Sequence, residues 1–471
     1  MRMYSKLVTK LDKIFNKDRL EKFFYGPYFP IYIALFVTLF FVMETAILGL
    51  FLVSITASII FLRFKDATPI IPLLFFVVLI FRDYDVMGGF LPYLALAPAI
   101  ISFILKFFIY PVKNFKPGKL FVPLILVCYA LFLGGLFSPL GDYLNGIPVM
   151  VTIGPVMLVI YLFFSAYICP PKNYDIKKYI CFVLTILGLT ATAHLAFYRL
   201  NMDVYKNNSF VLWFLGWGNV NCAATLILLA VPSCWYLITQ TKNIGLFFIL
   251  LGFLYCGAIL SNSAGVTAIC LIFTPILAFF GYKKTSIYHR KAYIITILTI
   301  TLILIIIAVY FAISYSFNEL IITLKPFFSD SSRSKLYKKA LSLFSEFPLF
   351  GVGLGYIGSN FGDHTGILVY NFHSVLFHVM ATMGIMGIVA YVFYYIARFK
   401  ILMKSDSHSS LFLTIAFIMF ECYAFIDTSE FNAIPLMSTL TVLITVVEIT
   451  NKKSNGNPLP LTLDFHNKII Y

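Results

Sequence analysis

Apolar runs about as long as a bilayer is thick return along almost the whole chain, and no other feature restricts its fold so tightly. A helix crossing the hydrocarbon core needs roughly 20 predominantly apolar residues. On that criterion, spans are expected near residues 27–43, 45–62, 68–81, 90–110, 119–138, 148–169, 179–198, 213–239, 243–261, 264–282, 292–315, 374–397, 410–429 and 433–449. The stretch from Phe29 to Phe64 is too long for one crossing and is broken only by Glu44, which implies a tight hairpin there. Only 12% of the residues are charged, against about a quarter in a soluble domain. So few charges cannot cover a water-facing exterior, and the expected class is an all-α polytopic membrane protein of about fourteen transmembrane helices.

The formal charge of +15 is then sorted by side of the membrane. Seven basic residues (Arg2, Lys6, Lys10, Lys13, Lys17, Arg19, Lys22) precede the first apolar run, with no small-residue cleavage site after one, which is the pattern of a retained cytoplasmic tail. With the N-terminus inside and fourteen crossings, only eight of the 35 Lys and Arg face outward: Arg82, Arg199, Lys206, Lys325, Arg333, Lys335, Lys338 and Lys339. That asymmetry is the positive-inside pattern. It accounts for the basic composition and leaves no nucleic-acid site. The expected organisation is a cytoplasmic basic tail (1–26), eleven spans (27–315), one long extracytoplasmic loop (316–372), three further spans (373–450) and a cytoplasmic C-terminal tail (451–471). The eight cysteines lie within or at the edges of apolar runs and never as C-x-x-C, so they are read as packing residues rather than as a disulfide frame or a zinc site.

Long loops joining compact elements are uncommon unless they are functional. In residues 316–372, Ser329, Asp330 and Ser331 offer N-caps for a helix running to about Phe347 and ended by Pro348. A helical wheel puts Leu336, Tyr337, Ala340, Phe344 and Phe347 on one face, with Arg333 in its middle, and Lys335, Lys338, Lys339, Ser342, Ser345 and Glu346 on the other. A guanidinium on an apolar face requires a carboxylate or a ligand phosphate; a snorkelling side chain is the alternative. The run Gly351-Val-Gly353-Leu-Gly355-Tyr-Ile-Gly358 follows a helix and a proline rather than a strand, so it is no dinucleotide fingerprint. It fits close backbone approach, with main-chain N–H groups of Gly351 and Gly353 that could face an anion. His373, where the loop meets the next span, could act as a general base or be a hydrogen-bonded interface residue. His378, five residues on, points about 140° away around a helix, so the two are not an i, i+4 metal pair. Glu421 within span thirteen, Asp427 and Glu430 at its outer end and Glu44 are acids in apolar surroundings. Such groups need partners or mark function, and Glu421 and Glu430 are candidate supporting acids.

The segments Arg333-Ser-Lys-Leu-Tyr-Lys-Lys-Ala-Leu, Phe347-Pro-Leu-Phe-Gly-Val-Gly-Leu-Gly, His373-Ser-Val-Leu-Phe and Met383-Gly-Ile-Met-Gly together resemble the signature block of the bacterial O-antigen ligase and O-antigen polymerase superfamily. Gly216-Trp-Gly-Asn-Val-Asn-Cys-Ala-Ala and Leu260-Ser-Asn-Ser-Ala-Gly add weaker likeness. The resemblance implies an inverting, metal-independent glycosyltransferase of GT-C type, without cofactor, in the bacterial cytoplasmic membrane and with its site extracytoplasmic. Its implied partners are membrane lipid, an undecaprenyl-pyrophosphate-linked glycan donor, a glycan acceptor and a chain-length regulator. By position, Arg333 would bind the pyrophosphate, His373 would activate the acceptor hydroxyl, and the glycines 351–355 would form the turn after the loop helix. Ligases of the family carry an arginine after the serine at the entrance of span ten, where this chain has Ala264 after Ser263. A second pyrophosphate contact therefore falls to Arg82, Arg199, Lys325 or Lys335. Polymerase and ligase chemistry both stay open, and a flippase of lipid-linked sugars is the alternative of another class, although no internal repeat of the transporter kind is evident.

Overall fold

The computed structural model describes residues 17–82, 90–112, 115–140, 143–171, 174–201, 215–314, 331–356, 372–404, 407–427, 431 and 434–453. Residues 1–16 and 454–471, most of the outer loop and with it Lys325, and also Lys206 and Glu430, lie outside the described residues. A helix occupies each of the fourteen apolar segments. They are α2 (Tyr28–Val42), α3 (Ala46–Arg63), α4 (Ile70–Ile80), α5 (Leu91–Ile109), α6 (Phe121–Leu133), α7 (Tyr143–Tyr167), α8 (Ile176–Leu200), α9 (Val220–Thr239), α10 (Ile244–Leu260), α11 (Ala264–Lys284), α12 (Ile287–Ser314), α14 (Val375–Met403), α15 (His408–Ala424) and α16 (Ile434–Lys453). Two more, α1 (Lys17–Phe24) and α13 (Ser331–Glu346), are short and polar in composition. No strand occurs among the described residues. Seven of the apolar helices are long and apolar enough to cross a membrane, and six are shorter apolar helices.

The hydrophobic pattern also fixes who is inside. α9 is buried along its length apart from Asn221, packed against α8, α10, α11 and α15. By contrast, only 22% of the α5 window and 28% of the α11 window are buried, and their exposed residues include Ile104, Phe108, Leu271 and Ile272. A helix apolar all round yet half exposed needs an apolar surrounding. The described residues thus form a multi-pass membrane protein.

Polar contacts sort the helix ends into two groups. At one end, the buried Asp66 carboxylate, whose carboxyl burial pushes above its usual range, accepts from Tyr25 Oη at 2.9 Å and from Cys169 N–H at 2.6 Å. Beside it Lys106 donates to the Phe64 carbonyl at 2.6 Å. At the same end Lys177 donates to Ser410 at 2.7 Å, and Asn451 donates to the Ile401 carbonyl at 2.9 Å. At the other end Arg82 pairs with Glu44 in the tight α2–α3 turn, and the α10–α11 turn meets the end of α15.

Several boundaries differ from the apolar runs, each for a local reason. α9 starts at Val220 rather than near 213, because Asn219 caps it by accepting from Cys222 N–H at 2.9 Å. α6 stops at Leu133, short of 138, because Gly134 and Gly135 leave the helix and Gly135 donates to the Phe350 carbonyl at 3.0 Å. α14 continues to Met403 but is broken at Gly384, where φ is 62° and ψ −152°.

That break releases backbone groups which, at membrane depth, need protein partners. The segment after α13 supplies them. Val352 and Gly353 donate to the Ala381 and Thr382 carbonyls at 2.8 and 2.9 Å, while Ile385 and Met386 donate to the Pro348 and Leu349 carbonyls at 2.8 and 3.2 Å. Gly353 also lies so close to α6 that an added Cβ would meet the Gly135 Cα at 2.8 Å.

Gly384→Ala should be costly, since a Cβ there is strained by φ and meets the Pro348 carbonyl oxygen at 2.5 Å. The expected loss is about 1–3 kcal/mol, read as a lower melting temperature of the detergent-purified protein. A variant as stable as the parent would contradict the described break.

Candidate functional site

Helix α13 lies against the first half of α14 and buries Leu336, Ala340 and Leu343 over Val352, Tyr356, Phe372 and Ala381. The wheel's apolar face is therefore present, with Leu343 rather than Phe344 as the fully buried position. Lys335 and Lys338 are exposed on the opposite face. Tyr337 stacks on Phe377, ring centroids 4.4 Å apart and planes at 16°, and its hydroxyl donates to the His373 carbonyl at 3.0 Å. Arg333, one turn earlier on the same helix, is half-buried.

His373 precedes α14 with φ at 47°. The left-handed region is rare for a residue bearing a side chain. Its Nδ1 stands 3.4 Å from Asp427 Oδ1, without the alignment of a hydrogen bond. Its side chain is 36% exposed whereas that of Asp427 is 1% exposed, so a partly exposed ring stands against a buried carboxylate. Tyr423 donates to the other carboxylate oxygen at 3.0 Å, and Ser263 Oγ is 3.0 Å from that hydroxyl. Ends of α11, α14 and α15 thus meet in one polar corner beside α13.

The other sequence candidates fall around this corner unevenly. Arg199 donates from Nε to the Leu260 carbonyl at 3.2 Å, which sets its guanidinium on the α10–α11 turn that carries Ser263. Arg82 is engaged elsewhere: 2.6 Å from Glu44 and stacked over Phe197 at 4.9 Å. The N–H groups of Gly351 and Gly353 donate to the Phe347 and Thr382 carbonyls, so these glycines build the frame rather than point at a ligand. His378 is buried between Phe372 and Phe431, apart from His373's role. Among the described residues no three His, Cys, Asp or Glu side chains converge.

Glu421 is not at the corner. Its carboxylate pairs at 2.8 Å with Arg398, which is fully buried and enclosed by the rings of Tyr394, Tyr395 and Phe417. Among the described residues the acid that faces the histidine is Asp427, which the sequence places at the outer end of span thirteen but does not single out as a supporting acid; Glu430 lies outside the described residues. The available signal was spacing: Asp427 follows Tyr423 by four, on one helical face, at the end of an apolar run.

Removing one partner of a buried pair leaves an uncompensated charge, at about 3–5 kcal/mol. Glu421→Leu is accordingly expected to lower the melting temperature sharply, and the double variant Glu421→Leu, Arg398→Met to recover most of it. A Glu421→Leu protein as stable as the parent would contradict the pairing.

No curated protein matches the chain. Residues 245–392 match the family model described as O-antigen ligase. That segment runs from α10 into α14 and contains Ser263, Arg333, Tyr337, the glycine segment and His373. Over that segment the chain is similar to the O-antigen ligase family, which supports the resemblance to the O-antigen ligase and O-antigen polymerase superfamily.

Proposed function

We propose that this chain is a glycosyltransferase that lengthens surface polysaccharide by joining repeat units carried on undecaprenyl pyrophosphate, at the outer face of a bacterial cytoplasmic membrane. The observation that carries the reading is His373 held beside the buried Asp427, with its carbonyl bonded by Tyr337 of α13, the helix that carries Arg333. Fourteen crossings with both termini inside agree with the polar contacts: alternation puts the ends of α11, α14 and α15 that meet at the corner on the outer side, and the Asp66 and Lys177 clusters on the inner side.

In the transfer, the acceptor hydroxyl oxygen bonds to the anomeric carbon from the face opposite the leaving group. The bond from that carbon to the pyrophosphate oxygen breaks, and its electron pair leaves with the lipid pyrophosphate. The hydroxyl proton passes to the outer nitrogen of His373. Asp427 beside Nδ1 favours the tautomer that leaves Nε2 as the acceptor and stabilises the imidazolium that forms. Tyr423 and Ser263 fix the carboxylate in turn. Arg333 meets the charge that grows on the leaving pyrophosphate, with a planar fork suited to phosphate oxygens. Arg199 of α8, whose guanidinium reaches the α10–α11 turn, serves as the second cation in place of Arg82, whose guanidinium is held by Glu44. The polyprenyl tail stays in the bilayer, and positioned guanidinium groups take the part that a metal ion takes in other phosphate chemistry.

The purified protein, given an undecaprenyl pyrophosphate oligosaccharide, should yield glycan lengthened in repeat-unit steps together with free lipid pyrophosphate, and should do so in a chelator. Arg333→Ala and His373→Ala are expected to lower kcat by roughly 10²-fold or more, and Asp427→Asn by a comparable factor. A single transfer onto a lipid, protein or wall acceptor would make it a ligase. Lipid-linked sugar crossing a vesicle membrane with no new glycosidic bond would make it a transporter and sink the reading.

A further inference from the structure

We infer that Tyr337 is a positioning residue that couples the arginine-bearing helix α13 to the alignment of His373. The inference rests on the functional reading above, and extends it to a residue that so far counted only as part of an apolar face.

His373 holds φ at 47°, a conformation that a side chain disfavours and that persists only where the surroundings determine it. Two contacts in the described structure do so. The Tyr337 hydroxyl donates to the His373 carbonyl at 3.0 Å, and the Tyr337 ring stacks on Phe377, in the first turn of α14. The hydroxyl grips the strained peptide while the stack fixes the distance from which it does so. Released from that grip, the peptide would relax toward negative φ and carry the imidazole away from Asp427, now 3.4 Å from Nδ1.

Arg333 sits four residues before Tyr337, on the same face of the same helix. One rigid turn therefore sets both the cation that meets the leaving group and the backbone of the base. When α13 is seated, the two are in register; when it lifts, both are lost together.

The test is Tyr337→Phe, which keeps the ring stack and removes only the hydroxyl. The assay is glycan lengthening on an undecaprenyl pyrophosphate oligosaccharide, with the melting temperature recorded in parallel. Loss of one hydrogen bond to a strained peptide should lower kcat by about tenfold, with the donor KM within about twofold of the parent and the melting temperature unchanged. Phe377→Leu, which leaves the hydroxyl and removes its platform, should lower kcat in the same sense with the donor KM again retained. Tyr337→Phe at the parental kcat would overturn the coupling, as would a loss that instead appears as a raised donor KM or as unfolding in both variants. His373→Ala separates this from the functional reading. With that variant inactive and Tyr337→Phe at parental kcat, the coupling alone fails; with His373→Ala fully active, the reading of the site fails and the coupling with it.

Discussion

A helix broken inside a bilayer needs its freed N–H and carbonyl groups met by protein, since lipid offers them nothing. In this chain the break is at Gly384, and the partners are the backbone groups of Pro348, Leu349, Val352 and Gly353. This exchange ties the segment after α13 to the middle of α14, and so presses α13 against the first turns of α14. The small apolar cluster of Leu336, Ala340, Leu343, Val352, Tyr356, Phe372 and Ala381 fills the space between them. Arg333, Tyr337 and His373 take their places as consequences of that docking.

The charges in the fold divide into two kinds. Arg398 with Glu421, Lys106 beside the Phe64 carbonyl, and Asp66 with Tyr25 are closed sets, each surrounded by rings or backbone. Ionisable groups at such depth persist only when paired in this way. The corner at His373 is built differently. Its carboxylate is buried and held by Tyr423, yet the imidazole it faces remains partly exposed. A fixed acid behind an accessible base is suited to moving a proton, whereas the closed sets are suited only to holding helices together.

Much of this was legible from residue pattern. The apolar runs located a helix in every segment, Glu44 marked the α2–α3 turn, and the Ser331 region and Pro348 bracketed α13 closely. What the runs could not show was where polar residues meet across the bundle. Asp427 lies 54 positions from His373 in sequence, and only tertiary packing brings it nearer than Glu421. The break at Gly384 was hidden because Met383-Gly-Ile-Met-Gly387 reads as ordinary apolar helix. The glycine segment pointed to close backbone approach, and the N–H groups of Gly351 and Gly353 are engaged by the Phe347 and Thr382 carbonyls. Tyr337 looked like a packing residue because a helical wheel ranks its ring and is blind to its hydroxyl.

The most direct measurement of the central claim is equilibrium binding of undecaprenyl pyrophosphate without any glycan, in detergent or nanodiscs, to the parent, Arg333→Ala and His373→Ala. Because Arg333 is assigned to the leaving group and His373 to the acceptor, Arg333→Ala should weaken binding by roughly tenfold or more, while His373→Ala should bind as the parent does. Equal binding by all three proteins, or a loss confined to His373→Ala, would contradict the assignment of the pyrophosphate to the α13 side of the corner.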